Sequence, residues 1–171
     1  FEATDTASEP AISRALIALF SFMQGKELAG QERATGSAGF AAGQFTPEQR
    51  QRIQMLIAAQ EQSFATFSQF ADAQNQQQWL LMANADSQIE RLRRIACTGA
   101  HCGEDGVLQW FTLLSQRLDQ MKQIEDGLCS TLMACCQRAI TTSEQAEPQH
   151  LATNQDASFS LYVAGASWLG E

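Results

Sequence analysis

Apolar residues recur at intervals of three, four and seven over most of this chain, the spacing that places side chains on one helical face. Ile12, Leu16, Leu19, Phe20 and Met23 mark a first helix over about 9–40. Ser8 stands at its N-cap, with Glu9 and Pro10 in the first turn, where acid and proline are favoured. Gly43 helps to end it. Thr46-Pro47-Glu48-Gln49 is the clearest start signal in the chain. Thr46 can cap, Pro47 takes the first helical position, and Gln49 completes a capping box. Ile53, Leu56, Ile57, Phe64, Phe67, Phe70 and Ala71 then predict a helix over 47–73. The glutamine-rich run 74–78 reads as a turn or a polar helix start. A third helix, 77–96, carries Leu80, Leu81, Ala85, Ile89, Leu92 and Ile95, and the loop from Thr98 to Gly103 stops it. The fourth, 105–140, has the longest stripe: Val107, Phe111, Leu114, Leu118, Met121, Ile124, Leu128, Leu132 and Cys135. Long amphipathic helices with short connections predict an all-α fold, an antiparallel four-helix bundle over residues 9–141. Residues 1–8 read as a disordered lead. From Thr142 the periodicity fails, so 142–171 reads as a flexible linker or tail whose apolar end, Phe159–Leu169, suits a short strand or a docking segment.

The first helix changes character around Arg33. Residues three, four or seven positions from it share its face: Lys26, Ala29, Gly30, Gly36, Ser37 and Phe40. Gly25, Gly30, Gly36 and Gly39 crowd one segment, although a glycine inside a helix costs about 1 kcal/mol relative to alanine. Small residues let another helix or a ligand approach the backbone. A guanidinium in such a groove offers planar paired donors to an oxyanion. Arg33 is therefore the candidate anion-binding residue, with Ser37, Gly30 and Lys26 as neighbours. The alternative is structural: Arg33 pairs with Glu32 or Glu27, or is solvated, and the glycines serve tight helix crossing.

The order of residues is more specific than their spacing. Phe22-Met-Gln-Gly-Lys-Glu-Leu-Ala-Gly-Gln-Glu-Arg-Ala34 resembles the NIT domain, the nitrate- and nitrite-sensing module of bacterial regulators, and in particular of nitrate-responsive antitermination proteins. A second stretch agrees: Gln109-Trp110-Phe111, then Ser115 to Asp119 and Gln123 to Leu128, is similar to a pattern on a late helix of that family. The resemblance covers roughly residues 10–140. It implies a module of two related helical bundles whose arginines line a nitrate or nitrite site, with Arg33 matching the arginine of the second half. A first-half motif of the Gln-Arg-Glu-Arg-Gly type is not found here, nor is an RNA-binding ANTAR output segment. The chain thus reads as the second half of a sensor, its partner being the first half or a second copy of itself in a homodimer. RNA would be reached only through an ANTAR domain. The start at Phe1, without methionine, suggests processing, truncation or partial coverage.

Composition narrows the alternatives. With 171 residues and 44% hydrophobic residues the chain can bury a sizeable single core. A net charge of −8 argues against direct nucleic-acid binding. The one basic cluster, Arg91, Arg93 and Arg94, reads as cations at a helix C-terminus. No apolar run approaches the roughly 20 residues needed to span a bilayer, so no membrane association is expected. No secretory signal pattern is present, and the expected compartment is cytoplasmic. The five cysteines, 97, 102, 129, 135 and 136, read as reduced thiols. Cys97, His101 and Cys102 lack the fourth ligand of a structural zinc site. The two histidines lie in a loop and in the tail, which leaves neither a di-iron pair nor a base for a nucleophile. No catalysis, no metal and no cofactor are expected. Trp110 and Phe111 read as core, Glu125 as a partner of Arg117 or Lys122 or as an interface residue, and Arg117 and Asp119 as structural. Two functions remain: a sensor that relays nitrate or nitrite binding at Arg33 by helix repacking to an output domain, or a ligand-free helical dimerisation or scaffold module.

Overall fold

A computed structural model describes the backbone of residues 5–83, 86–101 and 103–166, and the side chains of 8–83, 86–101 and 103–146. Five helices are present among them: α1 (Asp5–Ala42), α2 (Pro47–Phe70), α3 (Ala73–Ala83), α4 (Ser87–Thr98) and α5 (Gly106–Ala166). The fold is all-α, an antiparallel four-helix bundle in which α3 and α4 together occupy the third position. The predicted third helix, 77–96, is therefore corrected to two. Asp86 is non-helical at φ −113°, ψ 47°, and residues 84–85 fall outside the described set.

The ends also differ from the sequence reading. Asp5–Ser8 is helical, where a disordered lead was expected, and α5 continues past Thr142 to Ala166. What stops near Thr142 is the apolar stripe. Residues 142–147 are good or tolerable helix formers without glycine, which accounts for the helix past Thr142 but not for its passage through Pro148, where a backbone hydrogen bond is lost. Of the apolar end 159–169, the backbone of 159–166 is helical and the rest lies outside the described residues. By contact density the chain forms two compact units, Ser13–Leu132 and a second built from its two ends, up to Ile12 and from Met133. The core and the candidate site lie in the first.

Local chemistry fixes α2. Thr46 Oγ1 accepts from the Gln49 amide at 3.1 Å, and Gln49 Oε1 accepts from the Thr46 amide at 2.9 Å. This is the capping box read from sequence, with Pro47 at the first helical position. α4 ends at Gly99, whose φ of 72° lies in the left-handed region that glycine enters without strain.

Two apolar clusters give the helices their direction. One gathers Phe22 of α1, Phe64 and Phe67 of α2, Trp79 and Met82 of α3, and Met121, Ile124 and Leu128 of α5. The other gathers Phe40, Phe45, Ile53, Ile89, Leu92, Trp110 and Leu114. α1 runs from the first cluster to the second, α2 returns, α3 and α4 run out again, and α5 returns. Phe22 sits at the centre of the first, with ring centroids 4.9 Å from Phe67, 5.5 Å from Phe64 and 5.7 Å from Trp79.

Several stripe residues face outward instead. Phe20 is 61% exposed and Leu81 70%, while Phe22, Trp79 and Met82 are buried. The inward face of α1 includes Ala18, Phe22, Gly25, Ala29, Glu32, Gly36 and Phe40, small residues interspersed with large ones at heptad-like spacing. Gly36 lies under Trp110: a methyl group added there would sit 2.2 Å from the indole ring. Gly30 has no neighbour within 4 Å of the same position.

Leu128, 2% exposed, belongs to the first cluster. Leu128→Ala is expected to destabilise by about 2–5 kcal/mol in urea unfolding. The half-buried Leu118 should cost less. A loss at Leu128 below about 0.5 kcal/mol would mean that this stripe does not face the core. Gly36→Ala and Gly30→Ala should differ in sign. The first overpacks the Trp110 contact at a cost of about 1–3 kcal/mol. The second gains up to about 1 kcal/mol of helix propensity. Thermal unfolding of the pair reads both.

Candidate functional site

Lys26, Gly30, Arg33 and Ser37 lie four, three and four positions apart and so form one stripe along α1. Each has a distinct environment. Arg33 is half-buried against α5: its Nη1 donates to Ser115 Oγ at 2.9 Å, and its guanidinium carbon stands 5.0 Å from the centroid of the Phe111 ring. Trp110 Nε1 donates to the Arg33 carbonyl at 2.9 Å, so the same turn of α5 grips both backbone and side chain. Nε and Nη2 of Arg33 have no protein partner among the described residues and face outward. That leaves one planar edge of the guanidinium, with paired donors, available to a carboxylate-like or nitrate-like anion. The alternative pairing of Arg33 with Glu32 or Glu27 does not occur. Glu27 accepts from Gln31 at 3.4 Å, and Glu32 points into the core.

The other three members of the stripe are not assembled around that edge. Lys26 Nζ is bonded to the Glu125 carboxylate of α5, so its charge is already met. Ser37 Oγ donates to the Arg33 carbonyl at 2.8 Å, a bond within the helix that turns the hydroxyl away from any ligand. Gly30 leaves open space beside α1. Glu125 takes Lys26 and, at 3.9 Å, Lys122, where Arg117 or Lys122 was expected. Phe111, expected in the core, is 49% exposed and serves as the platform under Arg33, whereas Trp110 is fully buried.

A second polar cluster was not foreseen. Glu32 is fully buried and receives Arg93 Nε at 2.7 Å on Oε1, with Arg93 Nη2 at 2.8 Å and Gln60 Nε2 at 2.6 Å on Oε2. Arg93 Nη1 also donates to Glu90 Oε1 at 2.9 Å. This is a two-pronged guanidinium–carboxylate pair inside the bundle, joining α1, α2 and α4. Burial, the largest single influence on Arg93, favours the neutral form, but Glu32 and Glu90 together outweigh it and hold Arg93 above the ordinary arginine range. Of the basic cluster read as helix-end cations, Arg93 is thus a core residue, while Arg91 and Arg94 are exposed. The missed signal is positional. Glu32 continues the Ala18–Phe22–Ala29 face, and Arg93 adjoins Ile89, Leu92 and Ala96, the buried residues of α4.

Arg117 of α5 lies close by, with its side chain only 10% exposed. Its Nη1 meets Asp86 Oδ2 at 3.3 Å, and its buried Nε has no partner among the described residues. Among the described residues, Cys97, Cys129, Cys135 and Cys136 are free thiols, and no three His, Cys, Asp or Glu side chains converge on a metal site. Cys102 falls outside the described set, and no described helix is long and apolar enough to cross a membrane.

Removing Arg93 should be costly because it strands the Glu32 carboxylate in the core. Arg93→Met is expected to lose about 3–5 kcal/mol. Arg93→Met combined with Glu32→Gln should recover part of that loss, since the buried charge is then gone. If the double variant is no more stable than the single, the pair does not act as a coupled unit.

Comparison with known proteins places this arrangement. A nitrate regulatory protein of Klebsiella oxytoca is 40% identical over 147 residues, which are 85% of this chain and 37% of that protein. The solved structure of the NasR transcription antiterminator aligns with a TM-score of 0.69 at 42% identity, covering 74% of this chain and 35% of that one. The chain therefore spans little more than a third of the length of these relatives. Residues 1–133 match the family described as nitrate and nitrite sensing, and the chain belongs to that family, NIT.

Proposed function

We propose that this chain is the second half of the ligand-sensing domain of a transcriptional antitermination regulator, and that it binds nitrate or nitrite through Arg33 and relays binding by repacking helices. The single observation that carries the reading is the pose of Arg33. One Nη is held by Ser115 and the ring of Phe111 supports the plane, while the opposite edge faces outward with its donors unspent. Such a guanidinium is pre-oriented, so little rotamer entropy remains to be lost on binding a trigonal oxyanion.

One arginine does not make a sensor. A charge-assisted hydrogen bond contributes about 1.5–3 kcal/mol, whereas even millimolar affinity corresponds to about 4 kcal/mol. The remainder has to come from groups outside this half: the first bundle, or a second copy of this chain. Leu108 and Phe111 agree with such an arrangement. They lie one turn apart on α5, Phe111 against Arg33, and are 68% and 49% exposed. The output, RNA binding through an ANTAR domain, would lie beyond this chain.

A second reading has its own support. Gly25, Gly36 and Gly39 are all accounted for by close packing, against Phe64, Trp110 and Phe45. A ligand-free dimerisation or scaffold module would need them equally. Gly30 is the glycine that packing leaves unexplained.

Arg33→Ala and Arg33→Lys separate the two. Both should keep the helical content and cooperative unfolding while lowering nitrate affinity about ten- to hundredfold, the equivalent of one charge-assisted hydrogen bond. Lysine fails because it keeps the charge and loses the planar fork. Calorimetry with nitrate, on the chain alone and on the two-half module, reads the effect. The chain alone should bind weakly, and tight binding by an isolated monomer would contradict the shared site. Unaltered nitrate affinity in a folded Arg33→Ala variant would remove Arg33 from it.

A further inference from the structure

The outer face of α1 is bulky and apolar toward one end and small toward the other. Ile17, Phe20 and Met23 stand on it within two turns and are 39%, 61% and 40% exposed. Single exposed apolar side chains are ordinary, but large ones grouped on one face mark a contact surface. Further along the same face, Gly30 has open space beside it, and Ala34 and Ala38 are exposed. The spacing pairs the two ends. Met23 and Gly30 are one heptad apart, Phe20 and Ala34 two, and Ile17 and Ala38 three, so each large residue shares a helical row with a small one. Glu27, exposed, is the midpoint of all three pairs to within half a residue.

We infer that this face is a self-association surface, on which a second copy of the chain lies antiparallel about a two-fold axis at Glu27. That axis sets Phe20 against Ala34 of the other copy, Met23 against Gly30 and Ile17 against Ala38, each contact made twice. The self-complementarity decides for a second copy. A two-fold interface needs one patch to carry both the projections and the recesses that receive them. An unrelated partner would need only one or the other. Gly30, unfavourable inside a helix and without a packing role in the bundle, becomes the recess for Met23. The two Arg33 side chains would stand about 18 Å apart along the helix. The pairing is therefore separate from nitrate binding, and either reading can fail alone. A contact along about 32 Å of helix is small for a specific interface, so the dimer should dissociate on dilution.

Sedimentation velocity of the full chain, from micromolar to near-millimolar concentration, should show monomer passing into dimer. Phe20→Ala removes a projection, and Ala34→Phe fills the recess opposite. Each should weaken dimerisation at least about tenfold, as expected when a large apolar side chain is lost or shut out. Combined in one chain, the two changes exchange projection and recess, so the double variant should dimerise more tightly than Ala34→Phe alone. Both positions are exposed, and circular dichroism should show unchanged helical content. Should Ala34→Phe fail to fold, Glu27→Gln provides a second test. It removes two like charges that meet at the axis and should tighten the dimer. A chain that stays monomeric throughout overturns the proposal. So does wild-type dimerisation by folded Phe20→Ala, a double variant no tighter than Ala34→Phe, or a Glu27→Gln dimer no tighter than wild type.

Discussion

The arrangement of this bundle depends on one buried carboxylate. Glu32 has no solvent exposure and lies in the seam of α1, where an apolar residue would ordinarily stand. A lone carboxylate could not stay ionised there. Two nitrogens of Arg93 and the amide of Gln60 meet both of its oxygens, so that α1, α2 and α4 are tied at one height. Such a pair adds little net stability compared with well-packed apolar side chains, but it penalises any register that separates its members. Glu32 sits between Ala29 of one apolar cluster and Phe40 of the other, and Gln60 likewise between Phe64 and Ile53. The polar layer divides the core in two, and sliding α1 by a turn would bring a carboxylate against the aromatic rings.

The same pair sets the pose of Arg33. Successive residues of a helix are separated by about 100° around its axis. With Glu32 fixed inward toward α2 and α4, Arg33 must emerge on the flank, and that flank is occupied by α5. Ser115, Phe111 and the Trp110 indole then receive its side chain and its carbonyl. Gly36 makes this approach possible, because any side chain at that position would meet the Trp110 ring. The glycines around Arg33 thus have a packing role that spacing alone could not distinguish from a ligand-facing one.

What was legible in the sequence was whatever depends on near neighbours. The capping box at Thr46 is a three-residue pattern, and it forms as read. The helices follow from periodicity, and the family from a contiguous run around Arg33. What was not legible depends on partners far along the chain. Glu32 and Arg93 are 61 residues apart, and each alone looks like a surface charge on an amphipathic helix. On α3 the spacing from Leu81 to Ala85 and Ile89 draws the apolar stripe through Leu80 and Leu81, yet these are 58% and 70% exposed while Trp79 and Met82 are buried. The heavier ring nevertheless goes inward, where Phe22, Phe64 and Phe67 can surround it. The interruption near Asp86 lacks glycine and proline, and its signal is the weaker one of Asp86 and Ser87 with Glu90 three residues after Ser87, which the apolar stripe from Leu81 to Ile89 masks.

These energies also limit how a ligand could act. An anion gaining one charge-assisted bond at Arg33 supplies about 1.5–3 kcal/mol, and separating Glu32 from Arg93 would cost about 3–5 kcal/mol. A ligand shifts an equilibrium only by its differential affinity for the two states. On the proposed nitrate reading, one bond at Arg33 does not by itself meet the cost of breaking the buried pair. The contacts within reach are the softer ones along the α1–α5 seam: the Arg33–Ser115 bond, the Phe111 ring and the partly exposed Lys26–Glu125 pair. Breaking or re-forming these costs energies comparable to what one anion provides. On the proposed reading, a signal that begins at Arg33 would therefore pass through the α1–α5 seam, while the Glu32 pair keeps α1, α2 and α4 in register.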